Sequence, residues 1–573
     1  MSQKKNIVVV GGVAGGASAA ARARRLSEEA DIVMFERGQH ISFANCGLPY
    51  HIGETIPERE SLLVMTPESF TGRFNVDVKI QHEATAIDRA NKRVTAKNLL
   101  TGETANYPYD ALVLSPGAEP VRPPLPGIDL PGLYTLRNVT DMDAIKNIVD
   151  HNKPQRAVIV GGGYIGLEMC EALRERGVWV TLVEMMDQVM GPCCPELAAV
   201  VHKHMRDKGI ALELGKTVKA FAAVDGALDV ELSSGEHLPA EMVILAIGVK
   251  PEVKLAREAG LSIGQLGGIE VDAHMRTSDP DIYAVGDAVE VTEFVTGRRA
   301  LIPLAGPANR QGRIAADNIF GRPSEYKKTQ ATAICKVFDL TIGMTGVNEK
   351  TMKKLGRKYE AVHLHPMSHA GYYPDACPIH FKLLFDPDDG RIFGAQAVGV
   401  DGVDKRIDIM AVAIRAGLTV FDLEELELSY APPYGSAKDP INYAGFIAGN
   451  IIRGDVKMVQ AREFAEPNHG KFVLDVRNDD EVAETGMMPG AVHIPLPELR
   501  NRLDELPRDE PINVYCKVGL RGYVACRILD QKGFTSYNVS GGYLTYLATI
   551  GKPVLSCTPA TSSDAGEMGP AKK

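Results

Sequence analysis

One structural plan occurs twice in the first 320 residues, and it restricts the chain to an α/β architecture more strongly than any other feature. Each copy is an apolar strand, a glycine-rich turn, a helix and a second strand that ends in an acid. The first copy runs from Ile7–Val10 to Glu36, and the second from Ala157–Val160 to Glu184. Repetition at a spacing of about 150 residues predicts two βαβ domains, each with a parallel sheet.

The second turn matches the pattern GxGxxG at Gly161, Gly163 and Gly166. Such glycines permit a tight turn and close backbone approach, so the N-terminus of the next helix can face a pyrophosphate. Glu184, 18 residues beyond Gly166, is placed to accept hydrogen bonds from a ribose 2′-hydroxyl and to repel a 2′-phosphate. The pattern predicts an NADH site rather than an NADPH site.

The first turn, GGVAGG, is less regular. When Gly11 and Gly16 are aligned with the outer glycines, Val13 takes the middle position, so one glycine is missing in any register. Glu36 lies 20 residues after Gly16, where the same ribose contact is expected. This acid favours a second dinucleotide site.

Two later segments complete a set of four ordered motifs. Tyr109 to Ala118 (YDALVLSPGA) and Thr277 to Asp287 (TSDPDIYAVGD) resemble the later signatures of two-dinucleotide flavoproteins. From residue 5 to about 445 the chain resembles the pyridine-nucleotide disulfide oxidoreductase family. This resemblance implies FAD at the first site and NADH at the second, with Asp287 contacting FAD. The cofactor-binding candidates are Gly11, Gly12, Gly15, Gly16, Glu36, Ser115, Pro116, Gly117, Gly161, Gly163, Gly166, Glu184, Gly248, Gly286 and Asp287.

Cys46 lies in the segment SFANCGLPY, shortly after Glu36, which in this topology places it near the flavin. A thiolate there can attack a disulfide or persulfide sulfur, and a nearby helix N-terminus is expected to lower the pKa of the thiol. Relatives of the glutathione reductase type have a second cysteine where this chain has His51. The segment therefore resembles the single-cysteine branch, and within it the coenzyme A-disulfide reductases.

That resemblance also implies a coenzyme A site. The candidate contacts are Ser18, Arg22, Arg25, Ser42 and Asn45. Arg22 and Arg25 lie three residues apart and share a helix face, and the planar fork of arginine suits phosphate. The alternative is a solvated basic helix face.

A third, α+β segment resembles the dimerisation domain of the family. Tyr372 and Tyr430 resemble tyrosines that reach across the dimer in the coenzyme A enzymes, where a hydroxyl donates to a leaving thiolate. Tyr434 is a weaker candidate. Tyrosines in proline-rich turns also serve in packing, so both roles stay open.

The C-terminal segment resembles a single rhodanese domain through LDVR, GAVHIP, VYCKVGLR and VSGGY, in that order. Cys516 ends a strand and opens a loop before a helix near Arg521. Backbone N–H groups of this loop would surround the sulfur, and the helix dipole favours an anionic thiolate or persulfide. The resemblance implies that Cys516 carries sulfane sulfur, with Arg521 as part of its site.

The predicted fold class is α/β, with two Rossmann-like domains, an α+β dimerisation domain and a rhodanese-like domain. The predicted boundaries are 1–150 with 276–323 for FAD, 151–275 for NAD, 324–449 for dimerisation, 450–467 as a linker, 468–553 for rhodanese and 554–573 as a disordered tail. A net charge of −10 argues against nucleic acid and anionic membranes as partners. No apolar run is long enough for a transmembrane helix and no signal peptide is evident, so a cytoplasmic location is expected. The cysteine spacings include no CxxC, so no metal site is expected, and the resemblance to the family implies a homodimer.

These features predict an NADH-dependent flavoenzyme that reduces persulfides, polysulfides or coenzyme A disulfide at Cys46, with Cys516 as the sulfur carrier. Two alternatives stay open at this point. One is an NADH peroxidase or oxidase that cycles through a Cys46 sulfenic acid. The other is a non-catalytic redox sensor or sulfur-trafficking protein.

Overall fold

The computed structural model describes residues 4–466 and 469–554, which form two compact units. The first unit comprises residues 1–187 and 210–331, and the second comprises 188–209 and 332–573. Apart from Val554, the tail predicted to be disordered lies outside the described residues. None of the helices in the described ranges combines the length and the hydropathy that a bilayer crossing requires.

The first sheet of unit one is entirely parallel, as the first βαβ motif predicts. Its strands, in spatial order, are Ile282–Ala284, Ala111–Leu114, Asn6–Val10, Asp31–Glu36 and Asp77–Ile80. Helix Ala14–Leu26 follows the first turn and packs closely on helix Ala305–Ile319. A side chain on Gly312 would overlap the carbonyl oxygen of Gly15, so the close contact between these two helices requires glycine at position 312.

The second sheet repeats the plan around the second turn. Its parallel strands, in spatial order, are Ala211–Leu214, Trp179–Glu184, Arg156–Val160, Met242–Leu245 and Leu133–Tyr134. Helix Tyr164–Glu175 follows the turn; Met169 and Leu173, four residues apart, share one buried face, and Leu167 is buried on another.

Smaller elements complete unit one. Two antiparallel three-stranded sheets comprise His82–Asp88, Arg93–Asn98 and Thr104–Pro108, and Val218–Val224, Ala227–Leu232 and His237–Ala240. The remaining strands are Ala118–Pro120, Val249–Pro251, Ile269–Glu270, Val289–Thr292 and Arg299–Ala300. The remaining helices are Asn45–Gly47, Leu48–Ile52, Arg59–Leu62, Pro67–Phe74, Val139–Asn147, Ile148–Asn152, Lys254–Glu258 and Gly286–Ala288.

Unit two contains an antiparallel sheet with helices and a second, parallel sheet. The antiparallel strands, in spatial order, are Ala333–Val337, Leu340–Gly346, Ile392–Gly399, His380–Phe385 and Glu360–Leu364. The helices around it are Pro195–Asp207, Glu349–Leu355, Val403–Ala416, Val420–Glu425 and Pro440–Ile452. The α+β character predicted for this region is confirmed.

The C-terminal sheet is parallel, with the strand order Met458–Val459, Ser536–Val539, Ile512–Tyr515, Phe472–Asp475 and Val492–His493. Its helices are Ala461–Phe464, Asp479–Thr485, Leu496–Leu499, Leu503–Glu505, Leu520–Gln531 and Gly542–Thr549. The predicted fold class, α/β with two Rossmann-like domains, an α+β domain and a rhodanese-like domain, is confirmed.

Two boundaries differ from the predicted ones. Strand Met458–Val459 lies inside the predicted linker 450–467, yet it forms an edge strand of the C-terminal sheet. Residues 188–209 lie inside the predicted NAD domain, yet they belong to unit two. There Glu196 joins a buried ion cluster in which the Lys382 ammonium lies 3.3 Å from Glu196 and 2.7 Å from Glu349. A two-residue strand and a tertiary ion pair leave no local pattern in the sequence.

Candidate active sites

Both glycine-rich turns adopt a backbone conformation that favours glycine. Gly11 and Gly161 have φ angles of 97° and 108°. A side chain on Gly16 would overlap the carbonyl oxygen of Gly11, and one on Gly166 would overlap that of Gly161. The start of each helix is therefore held close against the turn that precedes it.

The second turn leaves room for a ligand in front of its helix. Gly163 is the N-cap of helix Tyr164–Glu175, and a Cβ placed on it would meet no atom within 4 Å. An open space at a helix N-terminus fits a pyrophosphate. In the first turn Val13 is the N-cap of helix Ala14–Leu26, while Gly12 and Gly15 lie against Ile41 and Ser115.

The two strand-end acids occupy equivalent positions. The Glu36 carboxylate accepts hydrogen bonds from the amides of Gly12 at 2.9 Å and Gly38 at 2.8 Å. The Glu184 carboxylate accepts from the amides of Gly162 at 2.6 Å and Met186 at 2.8 Å. Each acid is thus fixed beside its glycine turn, where a ribose is expected in a dinucleotide fold.

The later motifs lie beside the first turn. The Ser115 amide donates to the Val10 carbonyl at 2.7 Å, and Pro116 and Gly117 follow it. The Gly286 amide donates to the Gln311 side chain at 2.8 Å. Burial raises the pKa of the neighbouring Asp287, and Arg137 opposes that shift. These residues fit FAD as the sequence motifs imply.

Gly248 lies at the end of the second sheet. It has a φ of 104°, and a Cβ there would meet no atom within 4 Å. Its carbonyl oxygen accepts from the Val121 amide at 2.9 Å. The space beside Gly248 is open, and its role in binding a nucleotide stays a prediction.

Cys46 is exposed and lies in the short helix Asn45–Gly47, directly before helix Leu48–Ile52. Partial burial raises the pKa of its thiol, and the negative charges of Glu168 and Asp287 raise it further. The sequence predicted the opposite direction from the helix N-terminus alone. That prediction was wrong. Desolvation and the two carboxylates raise the pKa by more than the N-terminus of the five-residue helix lowers it.

Glu168 is the residue that sequence reasoning missed. It lies in the first turns of helix Tyr164–Glu175, and the Tyr50 hydroxyl donates to its carboxylate at 3.3 Å. Burial raises the pKa of Glu168 to about 7, whereas the Tyr50 hydrogen bond lowers it. The only sequence signal for Glu168 was the presence of an acid two residues after Gly166, in the helix that follows the second turn.

Glu168 and Cys46 are coupled through charge, because the Glu168 carboxylate raises the pKa of the thiol. A thiolate and a carboxylate that repel each other favour protonation of one when the other ionises. A carboxyl group with a pKa near 7 is suited to take up or release a proton at neutral pH. Glu168 can therefore exchange a proton with a group brought to it at neutral pH.

His51 stands where related enzymes have a second cysteine. It is buried, and its Nδ1 lies 2.7 Å from the Ile56 carbonyl oxygen. All the cysteines in the described residues are free thiols. Cys46 therefore has no disulfide partner within the described part of the chain.

The coenzyme A candidates on helix Ala14–Leu26 have partners of their own. Ser18 Oγ donates to Asn309 at 2.5 Å, and Arg22 is paired with Asp317 at 2.6 Å. Arg25 is exposed, and its guanidinium lies 6.0 Å from the centre of the Phe74 ring. Because Asp317 neutralises Arg22, Arg25 is the more available cation on this face.

Ser42 and Asn45 flank Cys46 on the chain. Ser42 has a φ of 45°, and its amide donates to the Gly12 carbonyl at 2.9 Å. Asn45 is exposed and begins the helix that contains Cys46. The backbone strain at Ser42 fixes this segment against the first glycine turn.

The two predicted tyrosines lie together in unit two. Their hydroxyl oxygens are 2.9 Å apart, and the side chains of Tyr372 and Tyr430 are exposed. The hydrogen bond with Tyr430 raises the pKa of Tyr372. The weaker candidate, Tyr434, is also exposed. A hydroxyl pair that projects from the surface can donate to an anionic group brought to it.

Cys516 directly follows strand Ile512–Tyr515 and is buried. The Gly519 amide donates to its sulfur at 3.1 Å, and Gly519 is the N-cap of helix Leu520–Gln531. Gly519 has a φ of 108°, so a side chain there would strain the loop. A helix start and a backbone amide aimed at sulfur stabilise an anionic thiolate or persulfide.

Two arginines with carboxylate partners belong to the motifs of this domain. Arg521 forms a bidentate pair with Glu481, with N–O distances of 2.6 and 2.8 Å. Arg477, of the LDVR motif, is buried 2.6 Å from Asp475 and lies 4.0 Å from the centre of the Tyr543 ring. The Tyr543 amide in turn donates to the Cys516 carbonyl at 2.8 Å. The sequence predicted Arg521 but not its carboxylate partner.

Comparison with family models assigns the whole architecture. Residues 5–312 match the model of pyridine nucleotide-disulphide oxidoreductases, and residues 332–439 match that family's dimerisation domain. Residues 460–549 match the rhodanese-like domain. In the described ranges no group of three His, Cys, Asp or Glu side chains is arranged to hold a metal ion.

Relatives and solved structures agree with this assignment. A coenzyme A disulfide reductase from Staphylococcus aureus is 36% identical over 443 residues, which is 77% of this chain and 99% of the relative. A reduced CoADR-RHD structure from Bacillus anthracis is 52% identical with a TM-score of 0.94, covering 97% of this chain and 100% of that one. An NAD-dependent persulfide reductase from A. fulgidus is 38% identical with a TM-score of 0.89, covering 95% and 99%. The chain belongs to the pyridine nucleotide-disulphide oxidoreductase family.

Proposed function

We propose that this chain is an NADH-dependent flavoenzyme that reduces S–S bonds of persulfides, polysulfides or coenzyme A disulfide. Cys46 is the nucleophile and Cys516 carries sulfane sulfur. The observation that carries this proposal is the contact between the helix that follows Cys46 and the helix that follows the second turn, where the Tyr50 hydroxyl donates to Glu168 at 3.3 Å. Cys46 follows the first dinucleotide turn and Glu168 follows the second, so the thiol lies where two nucleotide folds meet.

The comparisons support this activity over the peroxidase or oxidase alternative. Relatives named for coenzyme A disulfide and persulfide reduction cover most of the chain. The match to a rhodanese-like domain, in which Cys516 is retained, is expected of an enzyme that handles sulfane sulfur. A sulfenic acid cycle at Cys46 would give such a domain no role.

FAD, when bound at the first site, supplies the relay of two electrons from NADH to sulfur. The Cys46 thiolate attacks the inner sulfur of R–S–SH, forming Cys46–S–S–R and releasing HS⁻. Two electrons and one proton then convert this mixed disulfide to the Cys46 thiolate and R–SH. Overall, R–S–SH, NADH and H⁺ give R–SH, H₂S and NAD⁺.

Protons reach the leaving groups from side chains of the protein. Glu168, with a pKa of about 7, exchanges a proton with the thiol and with released sulfide. The Tyr372–Tyr430 hydroxyl pair donates to the leaving thiolate R–S⁻ in a homodimer, because both hydroxyls are exposed and already linked. The match to a dimerisation domain supports the homodimer.

Coenzyme A is the proposed body of the substrate. Ser42 and Asn45 flank the nucleophile, and Ser18, Arg22 and Arg25 lie on the helix after the first turn. Arg25 is the residue best placed to bind phosphate, since Arg22 is already paired with Asp317. Cys516 accepts sulfane sulfur and passes it toward Cys46.

The test is anaerobic NADH oxidation with a panel of coenzyme A disulfide, coenzyme A persulfide, polysulfide and the smaller glutathione persulfide, measuring sulfide where it forms. The parent enzyme is compared with Cys46→Ser and Cys516→Ser. We expect Cys46→Ser to lose turnover of every substrate and Cys516→Ser to lose only bulky or polymeric donors. Equal loss in Cys516→Ser for small and bulky donors would contradict the carrier role.

A further inference from the structure

A cavity of about 390 Å³ lies inside unit two, against the Cys516 loop. One wall is formed by Lys517 to Leu520, the loop that follows Cys516. The facing wall is formed by Tyr443, Phe446 and Ile447 on helix Pro440–Ile452. Small-molecule sites in proteins typically occupy roughly 300–1,000 Å³, so this cavity is large enough for an organic group.

The lining is mainly apolar, with cations at its edge. Met367, Met458 and Leu544 extend the apolar surface, and Lys438 and Lys517 contribute ammonium groups. Lys438 is exposed, so its charge stands at the solvent side. Apolar walls with a positive edge complement an amphipathic anion.

The cavity wall and the sulfur cradle share one backbone segment. Gly519 lines the cavity, and its amide donates to the Cys516 sulfur at 3.1 Å. The sulfur itself is buried behind this loop. The cavity therefore adjoins the loop that holds the nucleophile.

We propose that this cavity binds the organic body of the sulfur donor for Cys516, and that it selects anionic donors with an apolar group over compact inorganic donors. The inference rests on the function proposed for Cys516 and specifies its substrate class. Thiosulfate has no apolar group with which to fill the walls formed by Phe446 and Ile447. A donor with an apolar body gains affinity from burying that body there.

Organic thiosulfonates and thiosulfate isolate this effect, because both transfer one sulfur atom to a thiolate. With a thiosulfonate, the Cys516 thiolate and R–SO₂–S⁻ give Cys516–S–S⁻ and the sulfinate R–SO₂⁻. With thiosulfate the leaving group is sulfite. In either case cyanide then removes the outer sulfur as thiocyanate and restores the Cys516 thiolate, so thiocyanate reports turnover.

The experiment measures kcat/KM for benzenethiosulfonate and for thiosulfate with the full-length protein. We expect benzenethiosulfonate to be preferred at least about tenfold, and Phe446→Gln to lower that preference about tenfold. Val412→Gln is the matched control, because Val412 is an exposed apolar residue on another helix of the same unit, at 67% exposure. It should leave the preference unchanged, while Lys438→Gln should weaken both anionic donors alike.

A preference near one in the parent, or an unchanged preference in Phe446→Gln, would overturn the inference and leave the carrier role intact. Thiocyanate formation that survives Cys516→Ser would instead contradict the proposed carrier itself.

Discussion

Replacing Glu168 with Gln should lower the pKa of Cys46. Two carboxylates raise the pKa of this thiol, and the charge of Glu168 raises it more than the charge of Asp287 does. Glutamine retains the size of the side chain and can still accept a hydrogen bond from Tyr50. The substitution therefore removes the charge and leaves the packing.

The size of the effect follows from the pKa of Glu168. A carboxyl group whose pKa rises from 4.5 to about 7 carries a charge that the folded protein disfavours by roughly 3 kcal/mol. Because the folded pKa is raised, the unfolded chain ionises first as pH increases. The parent should thus lose up to about 3 kcal/mol of unfolding free energy between pH 4.5 and 7, relative to Glu168→Gln. Below pH 4.5 the two proteins should have equal stability.

The pKa of the Cys46 thiol gives a second measure of the Glu168 charge. Because the Glu168 charge raises the pKa of the thiol, the midpoint for Cys46 should move to lower pH when that charge is removed. The assay follows iodoacetamide alkylation of the Cys46 peptide by mass spectrometry between pH 6 and 11. Glu175→Gln is the control, because it removes the same charge from the exposed end of the same helix.

An unchanged or higher midpoint for Cys46 in Glu168→Gln would refute the proposed coupling. A matching shift in Glu175→Gln would show that the effect is a general change in surface charge. If the midpoint fell while the stability difference between pH 4.5 and 7 was absent, Glu168 would act on Cys46 without the desolvation inferred for it.

Three further predictions concern the nucleotide site, the tyrosine pair and the rhodanese loop. Gly166→Ala places a methyl group against a turn carbonyl, so KM for NADH should rise more than about tenfold while flavin content is retained; equal loss of flavin would contradict a local effect. Tyr430→Phe removes the hydroxyl that is hydrogen-bonded to Tyr372, so kcat for disulfide reduction should fall about tenfold while KM for NADH stays unchanged. An unaltered kcat would exclude the tyrosine pair from proton transfer. Glu481→Gln weakens the bidentate pair with Arg521, so thiocyanate formation should fall about tenfold while reduction of small persulfides persists; loss of both would argue against independent sites.

The parts of the fold that could be predicted are those that depend on short, local sequence patterns. The glycine turns at Gly11 and Gly161 require a backbone conformation that few other residues adopt, so their positions identify both sheets. Strand Met458–Val459 was not predictable, because two residues carry no periodicity. The assignment of residues 188–209 to unit two depends on partners such as Lys382, which is almost 200 positions away.

The same distinction applies to the sites. Cys46 and Cys516 were identified from motifs, because each motif places a thiol in a defined loop. Glu168 and Glu481 were missed, since their importance comes from Tyr50 and Arg521, which tertiary structure brings to them. The direction in which the pKa of Cys46 is shifted could not be predicted from the sequence, because it depends on the burial of the sulfur and on the charges of Glu168 and Asp287.

The most direct test of the central claim is the amount of sulfide released per NADH oxidised, without oxygen, from a small persulfide. The account predicts one sulfide per NADH for the parent and a loss of at least about a thousandfold in rate for Cys46→Ser. Release of sulfide by Cys46→Ser at the parent rate would show that the reaction does not use this thiol.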